Sequence, residues 1–216
     1  MNREFFINQL INIAKEKGFE IDREIMGEVV DNAIFRVVPK GSLLQSMGEN
    51  PDKVALVLNG ICRAYYVDGD GNDITRGFAP TGTLCMDDGL FSYTESICNW
   101  DTLSETTLMI FEVKKIKELV FQNDQLKNMY IILLENAMRY KIYRESGFLI
   151  ENATERYIHF KKLYPEICKT VKQHYIATYL GITPESLSRI RKALKESWNN
   201  PLKVVTWKKL GFSRPL

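Results

Sequence analysis

The chain is poor in the residues that build metal centres. Its 216 residues include two histidines, His159 and His174, and four cysteines, at 62, 85, 98 and 168. No two cysteines lie within ten residues of each other, and none forms a CxxC pair. That spacing excludes a zinc framework, an iron–sulfur cluster motif and a disulfide scaffold, and predicts reduced thiols that pack as small apolar side chains. Two histidines are too few for a His-rich catalytic metal site, so no metal and no cofactor are expected. Long apolar runs are also missing. The stretches present are short, such as Ile131–Leu134, and cannot cross a bilayer. The amino-terminal MNREFFINQLINIAKEKG is amphipathic and carries acids, without the apolar core or cleavage site of a signal peptide. A cytoplasmic location and no membrane partner are therefore expected.

What is present is a core-forming composition, 45% apolar and 26% charged, in a length that suits one large domain or two small ones. The net charge of +2 hides an uneven split. Residues 151–216 hold 13 Lys/Arg against 5 Asp/Glu, a net of +8, whereas residues 1–150 hold 16 against 22, a net of −6. An acidic front and a basic tail suggest different partners for the two parts. For the tail the choice lies between a solvated basic face and attraction to nucleic acid.

The hydrophobic pattern changes twice along the chain. Residues 2–17 follow helical spacing through Phe5, Phe6, Leu10, Ile13 and Ala14, with Gly18 as a stop, and a short helix is expected over 22–32. From about 34 to 113, short apolar or alternating runs are separated by Gly, Pro, Asn and Asp, the signature of a small antiparallel sandwich or barrel. Within it, Asp68-Gly-Asp-Gly-Asn-Asp73 reads as a hairpin tip. It lacks the terminal Glu of a calcium loop. A short amphipathic helix follows over 112–121.

The next helix, 124–146, would be about 30 Å long. Leu126, Met129, Tyr130, Leu133, Ala137 and Tyr140 recur along it at three and four, a heptad-like seam, while Ile131, Leu134, Met138 and Ile142 lie on another face. Two apolar faces need two partners: the chain's own sheet domain and, most economically, a second copy about a two-fold axis. The heptad-like seam is the expected dimer interface. Gly147 is read as the helix stop, Asn152-Ala-Thr-Glu155 as a capping box opening a helix over 153–164, and Pro165 as its end. The boundary at 147–152 divides the chain into residues 1–146 and 147–216.

The most specific signal is QHYIATYLGITPESLSRIRK, residues 173–192. Ile176 and Leu180 are apolar on a first helix, and Ala177 falls where two helices cross. Gly181 falls at the turn where a left-handed backbone is wanted, and Ile182, Leu187 and Ile190 complete a small core. Thr183 caps the second helix and Pro184 takes its first position. These are the constraints of a DNA-binding helix-turn-helix. Glu185, Ser188 and Arg189, at i, i+3 and i+4, project from one face. Arg189 suits a guanine edge, Glu185 a cytosine amino group, and Ser188 a thymine or adenine. An intrahelical Glu185–Arg189 pair is the alternative use of those charges. Gln173, His174, Thr183, Ser186, Arg191, Lys192 and Lys195 are placed for phosphates. His159, in TERYIHF, is read as structural.

In these motifs, together with VALVLNGICRAYYVDGDG and GFAPTGTLC, the chain resembles the Crp/Fnr family of bacterial transcription regulators, over nearly its whole length. The resemblance implies an α+β fold: an antiparallel, cupin-like β-roll (a double-stranded β-helix of the cyclic-nucleotide-binding kind), a long dimerisation helix and a C-terminal winged-helix-like helix-turn-helix. It implies a homodimer on palindromic double-stranded DNA, with RNA polymerase as a further partner. Glu185-Ser-Leu-Ser188-Arg189 matches the Fnr branch and implies a TTGA-like half-site.

Family members that bind cyclic AMP carry a Gly-Glu pair and, about ten residues later, an Arg-Ser pair. Alignment through Gly82 puts Met86-Asp87 and Ile97-Cys98 there, and no arginine lies between Arg76 and Arg139. A phosphate would meet acids, so cyclic nucleotide is not the expected effector. If the roll holds an effector, its pocket is expected at Met86, Asp87, Ile97 and Cys98, and its identity is open. Pro201–Trp207 offers one wing strand. No arrangement of Ser, His and Asp suited to nucleophilic catalysis is recognised, so no enzyme activity is expected. A dimeric scaffold acting through protein contacts is the rival to a DNA-binding regulator.

Overall fold

The computed structural model describes residues 2–198; the wing segment 201–207 lies outside them. The described residues form two compact units, divided after Glu135 within one long helix.

The first unit opens with α1 (Arg3–Glu16) and α2 (Arg23–Asp31). Asn2 caps α1 by accepting from the Glu4 N–H. Eight strands follow: β1 (Ile34–Val38), β2 (Leu43–Gln45), β3 (Lys53–Asn59), β4 (Ile61–Val67), β5 (Asp73–Pro80), β6 (Leu84–Cys85), β7 (Asn99–Thr102) and β8 (Thr106–Glu112). They pair antiparallel in two four-stranded sheets, ordered β1-β8-β3-β6 and β2-β7-β4-β5. This is the expected antiparallel β-roll. The β4–β5 hairpin turns at the expected tip, where the Asp68 N–H donates to the Asn72 carbonyl at 3.0 Å and Gly71 sits at φ +84°.

Two cores result. Ala55, Val57, Cys62, Ala64, Ala79, Cys85, Cys98, Trp100 and Leu108 fill one, drawn from the strands of both sheets. Phe6, Ile7 and Leu10 of α1 and Met26 and Val30 of α2 pack with Val54, Leu58, Met109 and Phe111 in the other. All four cysteines are free, and Cys62, Cys85 and Cys98 are buried.

After α3 (Val113–Gln122) comes α4 (Asp124–Ile150), and here one sequence expectation needs correction. Gly147 does not stop the helix, which continues to Ile150; the Glu151 N–H still donates to the Gly147 carbonyl at 3.1 Å. An internal glycine costs a helix about 1 kcal/mol relative to alanine, which tertiary packing readily offsets. Gly147 is buried, and a Cβ there would lie 3.2 Å from the Glu151 carboxylate.

The residues of the expected dimer seam also make contacts within the chain. Leu126 is 1% exposed, and Met129 and Leu133 pack on the core of α1, α2 and the roll. Tyr130 stacks edge-on with Phe121, Ala137 is half-buried, and Tyr140 bonds to Tyr179 through its hydroxyl. The other row supplies the exposed Ile131 (47%), Met138 (59%) and Ile142 (58%), and Ile132, Phe148, Leu149 and Ile150 of α4 are exposed as well.

The second unit continues through α5 (Ala153–Leu163), α6 (Pro165–Thr170), α7 (Gln173–Leu180) and α8 (Pro184–Trp198). Asn152 and Glu155 form the expected capping box. Pro165 ends α5 and also starts α6 as its first residue. Phe160, Ile167, Ile176, Ala177, Leu180 and Leu187 are buried.

Candidate nucleic-acid interface and the roll interior

The α7–α8 pair is built by local rules. Gly181 takes φ +68°, and the Gly181 and Ile182 N–H groups donate to the carbonyls of Thr178 and Ala177 at 3.1 and 3.0 Å. This is a left-handed helix stop. A Cβ on Gly181 would come within 3.0 Å of the Phe148 ring, so close approach also requires glycine. Thr183 caps α8: its Oγ1 accepts from the Ser186 N–H at 3.2 Å and donates to Ser186 Oγ at 3.1 Å. Two arginines secure the end of α7. Arg144 Nη2 donates to the Tyr179 carbonyl and Arg156 Nε to the Leu180 carbonyl, both at 3.2 Å, where the helix dipole favours cations.

With Leu187 fully buried, α8 turns Glu185, Ser188 and Arg189 outward, all three exposed. The Glu185 carboxylate is held below its ordinary range by its own backbone N–H first, then by the Thr183 hydroxyl, with Arg189 the smallest influence. Glu185 therefore leans on the helix start more than on Arg189. Gln173, His174, Lys192 and Lys195 are exposed, and Ser186 and Arg191 half-buried. Thr183 takes the cap position expected of it, with its hydroxyl engaged there.

Beside α7, a cavity of about 40 Å³ is lined by residues of α4, α5 and α7, among them Tyr143, Arg144, Phe148 and Tyr179. His159 Nδ1 lies 3.0 Å from Glu151 Oε1, an ion pair when the imidazole is protonated. Burial and then the Glu151 charge push the Tyr143 hydroxyl up to about 12.

Inside the roll Met86 and Cys98 share one core, and Arg76 and Asp88 make the contacts to Asp87, Ile97 and Cys98. Asp88 is wholly buried at the start of a 3-10 turn (Asp88–Phe91). Its Oδ2 accepts from the Ser96 hydroxyl at 2.7 Å and the Ile97 N–H at 3.2 Å. Its Oδ1 lies 3.4 Å from Arg76 Nη1, which also reaches Cys98 Sγ at 3.2 Å and Asp87 Oδ1 at 3.9 Å. Met86 sits at φ +56° and is buried. Burial pushes the Cys98 thiol up to about 11, so it is neutral near pH 7. Arg76 comes from β5, ahead of the arginine-free stretch between Arg76 and Arg139. Only the strand pairing reveals its reach.

A second interior arginine, Arg63, is 1% exposed. It makes two bonds to Asp101, at 3.0 and 2.6 Å, one to Asp73 at 3.0 Å, and lies 4.1 Å from the Tyr65 ring centre. Among the described residues no group of three or more His, Cys, Asp or Glu is placed to hold a metal ion, and no helix is long and apolar enough to cross a membrane.

No protein-family model matches the chain, and no curated protein matches it in sequence. Solved structures do match. FixK2 from Bradyrhizobium japonicum aligns at 18% identity and a TM-score of 0.67, covering 77% of this chain and 86% of that one. The c-di-GMP responsive global regulator CLP of Xanthomonas campestris aligns at 16% identity and 0.64, covering 82% and 93%. The Thermus thermophilus catabolite activator protein aligns at 18% and 0.53, covering 82% and 85%. These structural neighbours are regulators of the Crp/Fnr type and not enzymes. What this chain shares with them is the fold, α+β with antiparallel sheets and a long helix, of the cyclic-nucleotide-binding, Crp-like kind.

Proposed function

We propose that the chain is a sequence-specific DNA-binding transcription regulator of the Crp/Fnr type, acting as a homodimer on a palindromic operator with TTGA-like half-sites. The observation that carries this reading is the outward face of α8. Glu185, Ser188 and Arg189 are exposed on a helix whose start is fixed by Thr183 and Pro184 and whose neighbour ends at a left-handed Gly181. In this reading Arg189 meets the guanine edge, Ser188 and Glu185 read neighbouring bases, and Gln173, His174, Ser186, Arg191, Lys192 and Lys195 hold phosphates, with Thr183 contributing its backbone. The fold of the solved regulators supports it.

The two copies pair through the exposed α4 row of Ile131, Met138 and Ile142, with Ile132 beside it, in place of the seam that packs within the chain. Residues 1–146 form the roll and dimerisation part, and residues 147–216 the DNA-binding part. They are joined at Glu151–Asn152, the two non-helical residues between α4 and α5. A change at that joint would alter the spacing of the two reading helices, which must sit about 34 Å apart on DNA. RNA polymerase is the further partner this role implies.

The test is binding of the full chain to a TTGA palindrome and to a scrambled duplex across a salt series. The palindrome is expected to bind at least about a thousandfold more tightly, with affinity falling steeply as salt rises. Equal affinities for the two duplexes would overturn the reading.

A further inference from the structure

We propose that the roll carries a small-anion site already occupied by the chain's own Asp88 carboxylate, so that it takes no anionic effector from solution. This stands apart from the DNA reading and survives if that reading fails.

The donors around Asp88 are those that hold a free anion: a guanidinium, a hydroxyl and a backbone N–H converging on one group. They come from separate segments, Arg76 from β5, and Ser96 and Ile97 from the approach to β7. The Ser96 hydroxyl lies 2.7 Å from Asp88 Oδ2 and 2.8 Å from the Cys98 carbonyl, so its one proton is shared between two acceptors, and Cys98 Sγ lies 3.9 Å from Asp88 Oδ2. The carboxylate is wholly buried, so it cannot exchange its donors for water without opening the roll. An ion pair kept for stability alone gains little over apolar residues of similar volume. A convergent donor set that fully engages one carboxylate is the arrangement expected of a binding site. Asp87, 3.9 Å from the same guanidinium, sets two acids against one cation and repels any further anion.

Removing the carboxylate should create a vacancy shaped for formate, the fragment deleted in Asp88→Ala. The experiment is thermal unfolding of the full-length wild type and Asp88→Ala in sodium formate and in sodium chloride of equal ionic strength. Expected is a lowered midpoint for Asp88→Ala that rises with formate along a saturating curve, as for a ligand that binds only the folded state. The wild-type midpoint is expected to be the same in both salts. A variant that responds to ionic strength alone, or a wild type stabilised by formate as strongly as the variant, overturns the proposal. Should Asp88→Ala not fold, Asp88→Asn keeps the volume and an acceptor oxygen and removes the charge. Arg76→Met is then expected to change the unfolding equilibrium at least about tenfold less in the Asp88→Asn background than in the wild type. Equal effects in the two backgrounds overturn it.

Discussion

The roll and the α7–α8 pair treat charge in opposite ways. In the roll, Arg63 and Arg76 are turned inward and answered by Asp73, Asp101, Asp87 and Asp88. On α8, Arg189, Lys192 and Lys195 are turned outward to solvent. A cation answered inside the chain has little left for an external anion, whereas an exposed row of cations is an open invitation to one. The contrast supports the proposal that an anionic partner meets the exposed cations of α8 and not the answered ones of the roll.

The inward half of that comparison is broken most severely by removing Arg63. Arg63→Met leaves Asp101, and the half-buried Asp73, without the buried cation they share, at a cost of about 3 kcal/mol. Urea unfolding of the two proteins measures it. A change below about 1 kcal/mol, the value of an exposed pair, would mean that the arginine is not doing structural work.

A smaller effect sharpens the same contrast through pH. In the folded chain Cys98 ionises at about 11 against an ordinary 9.0. A raised pKa means the folded state keeps its proton when the unfolded state has lost it, so the associated stability is present below pH 9 and is lost as pH rises toward 11. Unfolding free energy measured across that window should fall less steeply in Cys98→Ala than in the wild type, and identical slopes would contradict the burial argument.

How much of this was legible in the sequence depends on how local the cause is. Gly181, Thr183, Pro184 and the Asn152–Glu155 capping box were readable because each satisfies backbone groups within a few residues. The Asp68–Asp73 turn was readable for the same reason. The faces of α4 were not. Spacing shows that Leu126, Met129 and Leu133 form an apolar row, but which row meets the chain's own core depends on packing against α1, α2 and the roll. Gly147 carries the composition of a helix stop, yet it is buried and the helix runs past it. Arg63 and Arg76 meet their carboxylates across separate segments, which no local pattern shows. The contacts that Asp88 and Arg76 make were not legible, because they join separate segments.

The central claim is that Arg189 reads a base, and a double-mutant cycle between protein and operator tests it most directly. Wild type and Arg189→Ala would each be titrated, at one salt concentration, against the TTGA palindrome and against the same duplex with each half-site changed to TTAA. The account predicts that the wild type loses about 1–3 kcal/mol per guanine contact on that change, while Arg189→Ala, already weakened, loses almost none. If both proteins lose the same factor, Arg189 does not contact the guanine and the account is contradicted.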